Sequence, residues 1–202
     1  VRKNHWETVY QTKDTTKVGW FQPVPQVSIE LIVDLNLPHN ASIIDVGGGD
    51  SLLVDWLLQE GYGQVTVLDI SESALQKAQQ RLGKSASKVT WKVSDILEFE
   101  PKAKFDLWHD RAVFHFLTET KDQQTYRSLV EQSISSGGYL LLMTFSKSGP
   151  KSCSGLPVEQ YDIADLEAFF SREFELVKSF NYDHITPSGS AQNYTVCLLK
   201  RR

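Results

Sequence analysis

Short apolar runs rich in β-branched residues alternate along this chain with stretches whose apolar positions recur at helical spacing. That alternation predicts βαβ units and a parallel sheet. The first run, Ser42–Val46, leads into Gly47-Gly48-Gly49 and then a helix from about Ser51 to Glu60, with Leu53, Trp56 and Leu57 on one side. Gly61 and Gly63 end it. A second strand, Gln64–Asp69, is followed by Ser71 at a helix N-cap position and by Ala74, Leu75, Ala78 and Leu82 in helical register up to Gly83. Further strands are predicted at Lys88–Val93, Phe105–Trp108 and Tyr139–Phe145. The last is entered through Gly137-Gly138 after a helix over about Gln123–Ser135.

The two ends read differently from the middle. Phe174–Asn181 and Gln192–Leu199 are joined by Thr186-Pro187-Ser188-Gly189-Ser190, which is turn chemistry, so the sheet should close with an antiparallel hairpin after a helix at about Ile163–Ser171. Val24–Leu35 has the pattern of an amphipathic helix, preceded by a segment that reads as irregular and aromatic. Residues 146–160 read as a surface loop beyond the fifth strand. One α/β domain over 1–202 is expected: 1–40 a lid and helix, 41–145 a binding core, 146–202 a loop, helix and hairpin.

Composition narrows the partners. The 202 residues are 41% hydrophobic and 23% charged, enough for a core without staples. Runs such as Tyr139–Met143 are too short to span a bilayer, so no membrane partner is expected. The opening Val1-Arg2-Lys3-Asn4-His5-Trp6 lacks the apolar stretch of a signal peptide. Cys153 and Cys197 alone cannot build a disulfide framework, and a reducing, cytoplasmic setting is expected. Five histidines without ligand spacing suggest no metal site. Net charge is -4 and the basic residues are scattered, so no nucleic-acid partner is expected.

The most informative stretch is Ile43-Ile44-Asp45-Val46-Gly47-Gly48-Gly49-Asp50-Ser51. Glycine carries no Cβ and takes positive φ, so a ligand can press on this backbone where a strand ends. An acid about 20 residues on, here Asp69, is placed to accept from the hydroxyls of a ribose. A tight turn that binds nothing, with Asp69 as a helix cap, is the plainer alternative. A dinucleotide would want glycine at position 52, which is Leu, and a pyrophosphate would meet Asp50 at the helix start. A ligand carrying a sulfonium and an ammonium faces no such repulsion.

Asp45-Val46-Gly47-Gly48-Gly49-Asp50-Ser51 resembles the first motif of class I S-adenosylmethionine-dependent methyltransferases, with Ser51 where that pattern has a third glycine. Val67-Leu68-Asp69-Ile70-Ser71 is similar to the family's ribose-binding strand end, and Val93-Ser94-Asp95-Ile96 to the segment facing adenine. The resemblance covers about Asn40 to Phe145 and implies a Rossmann-like, doubly wound, seven-stranded sheet, mostly parallel, with S-adenosylmethionine as cofactor. It implies that Gly47 and Gly49 admit the methionine part and that Asp45 holds its amino group. Asp69 would bind the ribose, Ile70 and Ile96 would border the adenine, and Asp95 would bind its exocyclic amine. With His-Asp-Arg at 109–111 and Cys-Ser-Gly-Leu-Pro at 153–157, the chain resembles a bacterial group of the family without an assigned substrate. The opening His5-Trp6-Glu7-Thr8-Val9-Tyr10 also resembles the start of protein-lysine methyltransferases that act on elongation factors. The Asn/Asp-Pro-Pro-Tyr of DNA and RNA amino-methylating enzymes is missing after the fourth strand.

Methyl transfer is an in-line displacement, so alignment and exclusion of water matter most, and a base matters only for a protonated acceptor. The acceptor is expected beyond strands four and five, at Trp108-His109-Asp110-Arg111 and Phe114-His115-Phe116. His109 is the candidate base and could touch the cofactor, or it caps a loop; His115 could orient an acceptor, or it packs between phenylalanines. Asp110 and Arg111 could pair at the surface, or Arg111 could bind an acceptor carboxylate. Trp20, with Phe21, could close over the sulfonium with a cation–π contact worth roughly 0.5–2 kcal/mol, or it fills core. Residues 149–161 read as an acceptor-facing wall that brings Cys153 and the Tyr161 hydroxyl to the site. A small molecule with a thiol or other heteroatom is the expected acceptor; a protein lysine, or a module that binds the cofactor without turnover, is the alternative.

Overall fold

A computed structural model describes residues 2–202; Val1 lies outside the described residues. The strands are β1 Ser42–Val46, β2 Gln64–Asp69, β3 Val89–Val93, β4 Phe105–Arg111, β5 Ile134–Phe145, a short pair β6 Ser152–Cys153 and β7 Leu156–Pro157, β8 Phe174–Ile185 and β9 Ala191–Arg201. The helices are α1 Arg2–Thr12, α2 Gln26–Asp34, α3 Leu53–Gln59, α4 Glu72–Leu82, α5 Thr120–Ser133 and α6 Ile163–Phe170. Seven strands form one sheet in the order β3-β2-β1-β4-β5-β9-β8. The pairs β1/β2, β2/β3 and β4/β5 are parallel, whereas β5/β9 and β9/β8 are antiparallel. This is the expected mostly parallel sheet closed by a hairpin. Among the described residues, no helix is long and apolar enough to cross a membrane.

The chain divides into two compact units, Val1–Phe99 and Glu100–Arg202. In the first, β1 is buried along nearly its whole length, as a strand covered on both faces must be. Ser71 caps α4 as expected, its oxygen accepting from the Ala74 N–H at 3.2 Å, and Gly83 ends the helix with φ +55°. The irregular N-terminus expected from the sequence is instead α1. Its charge-rich sequence holds only a short apolar stripe, Trp6, Val9 and Tyr10. The helix is tied down from elsewhere: the Glu7 carboxylate accepts from the Ser71 hydroxyl (2.8 Å), the Ser73 N–H (3.2 Å) and the Ser73 hydroxyl. A carboxylate over the first turn of α4 is favoured by its free N–H groups.

In the second unit, β4 runs three residues beyond the expected Trp108, so His109 lies inside a strand, opposite Leu141. Strand β5 starts at Ile134, before Gly137-Gly138, because these glycines form an irregularity within the strand rather than its entry turn. Phe105 pairs with Ile134 and Leu107 with Tyr139, so β5 carries extra residues there, and Gly137 has φ +77°. The stretch 146–160 is no free loop. The Ser146 N–H donates to Asn193 O (3.0 Å), the Glu159 N–H to His115 O (2.8 Å) and the Tyr161 N–H to Phe145 O (3.0 Å).

A Cβ on Gly138 would lie 3.0 Å from the backbone oxygens of both Asp106 and Ser135. Backbone cannot move aside as a side-chain tip can, and overpacking of this kind costs about 1–3 kcal/mol. Gly138→Ala should lower the melting temperature by roughly 2–4 °C per kcal/mol for a chain of this size, measured by calorimetry or circular dichroism. An unchanged melting temperature would mean that β5 relaxes freely at this irregularity.

Candidate active site

The glycine turn after β1 is held by the next strand. The Gly47 and Gly48 N–H groups both donate to Leu68 O, at 2.7 and 3.2 Å, and the Ser51 N–H closes the turn on Gly48 O at 2.8 Å. Gly47 and Gly49 adopt φ +67° and +51°, the left-handed region that glycine occupies without strain. A Cβ on Gly48 would sit 2.6 Å from Asp45 Oδ2, and one on Gly49 would sit 2.6 Å from the Tyr10 hydroxyl and 3.3 Å from Asp69 Oδ2. Bare backbone is therefore required for Asp45, Asp69 and Tyr10 to surround it.

Asp69 sits at the end of β2, almost wholly buried, and its carboxylate accepts from the Ser71 N–H at 2.8 Å and from the Gly49 N–H. Burial first, and then the charges of Asp45 and Asp50, push its carboxyl up to about 7, against the two backbone donors. The turn thus concentrates negative charge that water cannot fully solvate, a setting suited to a cationic partner. Helix α3 starts at Leu53, later than the expected Ser51, leaving the carbonyls of Asp50 and Ser51 outside the helix. Arg81 of α4 reaches back to these carbonyls, donating to Asp50 O at 2.8 Å and Ser51 O at 2.9 Å while pairing with Asp55 at 2.8 Å.

Asp95 caps a short helical turn, Ile96–Glu98, by accepting from the Leu97 N–H at 3.1 Å. Ser94 N–H, one residue before it, donates to Asp69 O at 3.0 Å, so this segment follows the end of β2. Ile96 is buried and Ile70 half-buried. Trp20 is half-buried too, edge-on to Trp6 at 5.5 Å and to Tyr10 at 6.5 Å. Sequence reasoning gave Tyr10, Glu7 and Arg81 no place at this turn. Glu7 and Tyr10 lie on α1 and Arg81 on α4, away from the turn in sequence, so only long-range contact reveals them.

In the second unit, Asp110 is a buried carboxylate rather than a surface one. Asp110 has no exposure and accepts from the Val113 N–H (2.8 Å), the Phe114 N–H (3.2 Å) and the Tyr126 hydroxyl (2.5 Å). The same Tyr126 oxygen accepts from the Trp108 indole at 3.1 Å. Burial raises Asp110 to about 6, with those donors working against it. Ala112 is bent to φ +75°, a conformation that costs a residue with a Cβ about 1–3 kcal/mol.

His115 is fully buried, its Nδ1 accepting from the Phe145 N–H at 3.3 Å and its ring 4.7 Å from the Phe145 ring. Burial, and then the charge of Arg111, depress it to about 3, so it remains a neutral imidazole at neutral pH and is no proton acceptor there. Arg111 is half-buried, its guanidinium carbon 5.1 Å from the centre of the Tyr194 ring. Cys153 lies in β6, facing Leu156, and close enough to Arg111 to interact electrostatically. Tyr161 stacks on Phe114 at 5.2 Å and accepts from Gln123 Nε2 at 3.0 Å, so its ring is part of the aromatic packing and its hydroxyl is already engaged.

Residues 43–138, nearly half of the chain, match a family model described as a methyltransferase domain. That stretch of the chain is similar to a methyltransferase domain. The cofactor of that family is S-adenosylmethionine. Gly47, Gly49, Asp45, Asp69, Ile70, Asp95, Ile96, His109, Arg111 and His115 fall within the matched stretch; Trp20, Cys153 and Tyr161 fall outside it. A malonyl-[acyl-carrier protein] O-methyltransferase of Anoxybacillus flavithermus is 36% identical over 106 residues, 52% of this chain and 39% of that protein. The chain thus spans well under half the length of that relative. Mouse EEF1A lysine methyltransferase 2 is 22% identical over 98% of this chain and 81% of its own. A SAM-dependent methyltransferase from Anabaena variabilis superposes with a TM-score of 0.78 at 17% identity, over 100% of this chain and 96% of that one, and so shares the fold.

The raised carboxyl of Asp69 makes stability depend on pH. In the unfolded chain it ionises near 3.8, in the folded one near 7. Its contribution is therefore complete below about pH 4 and is lost as pH rises from there to 7, at about 1.4 kcal/mol for each pH unit crossed. Asp69→Asn should raise the melting temperature relative to the parent chain more at pH 8 than at pH 4, read from thermal melts across that range. A pH-independent difference would mean that Asp69 ionises freely when folded.

Proposed function

We propose that this chain is an enzyme that transfers the methyl group of S-adenosylmethionine to a small-molecule acceptor, working as a single domain. The observation that carries the reading is the bare glycine turn ringed by Asp45, Asp50 and Asp69. It presents backbone to a ligand and excess negative charge to a cation. A pyrophosphate would meet repulsion at the same place. When bound, S-adenosylmethionine supplies an electrophilic methyl group on a cationic sulfur.

In this reading Gly47 and Gly49 leave room for the methionine portion, and Asp45 accepts from its ammonium. Asp69 accepts from the ribose hydroxyls, Ile70 and Ile96 flank the adenine, and Asp95 accepts from its exocyclic amine. Trp20, fixed by Trp6 and Tyr10, excludes water and offers a ring face to positive charge. His109 orients the acceptor or takes its proton when one must leave. His115, neutral and locked to Phe145, serves as a donor rather than a base. Cys153 and Tyr161 belong to the segment that walls the acceptor side.

Similarity to mouse EEF1A lysine methyltransferase 2 along almost the whole chain supports a second reading, a protein lysine as acceptor.

Calorimetric titration with S-adenosylmethionine, S-adenosylhomocysteine and NAD tests the cofactor. Both adenosyl ligands should bind at micromolar concentration and NAD should not. Asp69→Ala and Gly49→Ala should each weaken binding at least about tenfold, or about 1.4 kcal/mol. Binding of NAD alone would refute the proposal. Incubating a lysate with methyl-labelled cofactor then separates the acceptors: label in metabolites supports the first reading, label in protein the second.

A further inference from the structure

The second unit gathers hydrogen-bond donors around a fixed cation without supplying them an acceptor. His115 receives the Phe145 N–H at Nδ1, so its own proton is on Nε2, and that nitrogen is buried without a hydrogen-bond partner. The Tyr194 hydroxyl is also buried and unpartnered. The Tyr182 hydroxyl is buried beside them, facing the Arg111 guanidinium. These groups are neighbours. Tyr182 and Tyr194 pair across β8 and β9 and stack at 5.5 Å with an interplanar angle of 24°. Phe145 pairs with Tyr194 across β5 and β9, its ring 4.8 Å from that of Tyr194 and 4.7 Å from that of His115. The guanidinium of Arg111 lies over Tyr194 and within electrostatic reach of Tyr182 and His115.

Buried polar groups in folded proteins are nearly always satisfied, so an orphan set of this kind calls for a ligand. A fixed cation and three neutral donors, two of them on fully buried residues, ask for an acceptor carrying negative charge. Guanidinium matches a carboxylate in two parallel hydrogen bonds, and aromatic rings border the same place. We propose that Arg111, His115, Tyr182 and Tyr194 form a recognition site for the carboxylate of a small acceptor. It rests on the methyltransferase reading only in taking the carboxylate to be that of the methyl acceptor; the anion site stands or falls on its own measurement.

The test uses benzoate, neutral benzamide and cationic benzylamine as probes, titrated into the whole chain with and without saturating S-adenosylhomocysteine. Benzoate should bind at least about tenfold more tightly than either isostere, a difference of about 1.4 kcal/mol. Arg111→Gln should abolish that preference while S-adenosylhomocysteine still binds as in the parent chain. Tyr194→Phe, which removes only a hydroxyl, should weaken benzoate several-fold and leave the melting temperature within a few degrees. If Arg111→Gln does not fold, the parent's preference and Tyr194→Phe decide the matter. Equal affinity for benzoate and benzamide, or a preference for benzylamine, would overturn the proposal. Failure of S-adenosylhomocysteine to bind, with benzoate preference retained, would remove the methyltransferase reading and leave the anion site standing.

Discussion

The organisation of the first unit depends on bringing three carboxylates around a backbone that has no side chains. Asp45 and Asp50 each repel the Asp69 carboxylate, and burial removes the water that would soften the repulsion. Backbone N–H groups from Gly49 and Ser71 face Asp69, and Arg81 sits on the carbonyls that follow the turn. Glu7 keeps its negative charge for a separate reason. Burial opposes its ionisation, but hydrogen bonds from Ser73 and Ser71 outweigh that and hold its carboxyl below the usual range. By anchoring α1, Glu7 places the Tyr10 hydroxyl against Gly49. A cationic ligand would relieve what these contacts only contain.

The second unit has the opposite polarity. Its buried carboxylate, Asp110, is surrounded by donors and serves the turn that links β4 to the aromatic packing of Tyr126 and Phe114. That turn contains Ala112 in a left-handed conformation, which sends the chain sharply away after Arg111 and leaves the guanidinium beside Tyr194. Strain stored next to a charged side chain is an arrangement that packing must support, and here the Ala112 N–H donates to Met143 O at 2.9 Å. His115 is neutral for the same electrostatic reason that Asp69 is raised: burial and a like charge both oppose ionisation.

Much of this was legible in the chain itself. Runs of β-branched residues and glycine punctuation identified all seven strands of the main sheet, because strand period and turn chemistry are local properties. The Gly47–Gly49 turn and the acid at the end of β2 could be recognised together, since both lie on the chemically marked ends of strands. Leu52 and Asp50 argued against a dinucleotide by size and charge alone. What escaped was decided at a distance. Helix α1 has only three apolar positions and forms against α4; β4 extends through His109 to Arg111 because β5 pairs with it; Gly137-Gly138 is an irregularity within β5 because β4 runs past it.

The sequence by itself therefore determined the order of elements, the mostly parallel sheet with its closing hairpin, and the candidate cofactor turn. Periodicity, missing side chains and formal charge act over a few residues and survive without a fold. Only the tertiary structure decided that Asp110 is a buried structural carboxylate, that His115 is neutral, and that Arg111 shares its surroundings with Tyr182 and Tyr194. Protonation and hydrogen-bond satisfaction depend on burial and on which distant groups arrive alongside, and neither is written in any short stretch of chain.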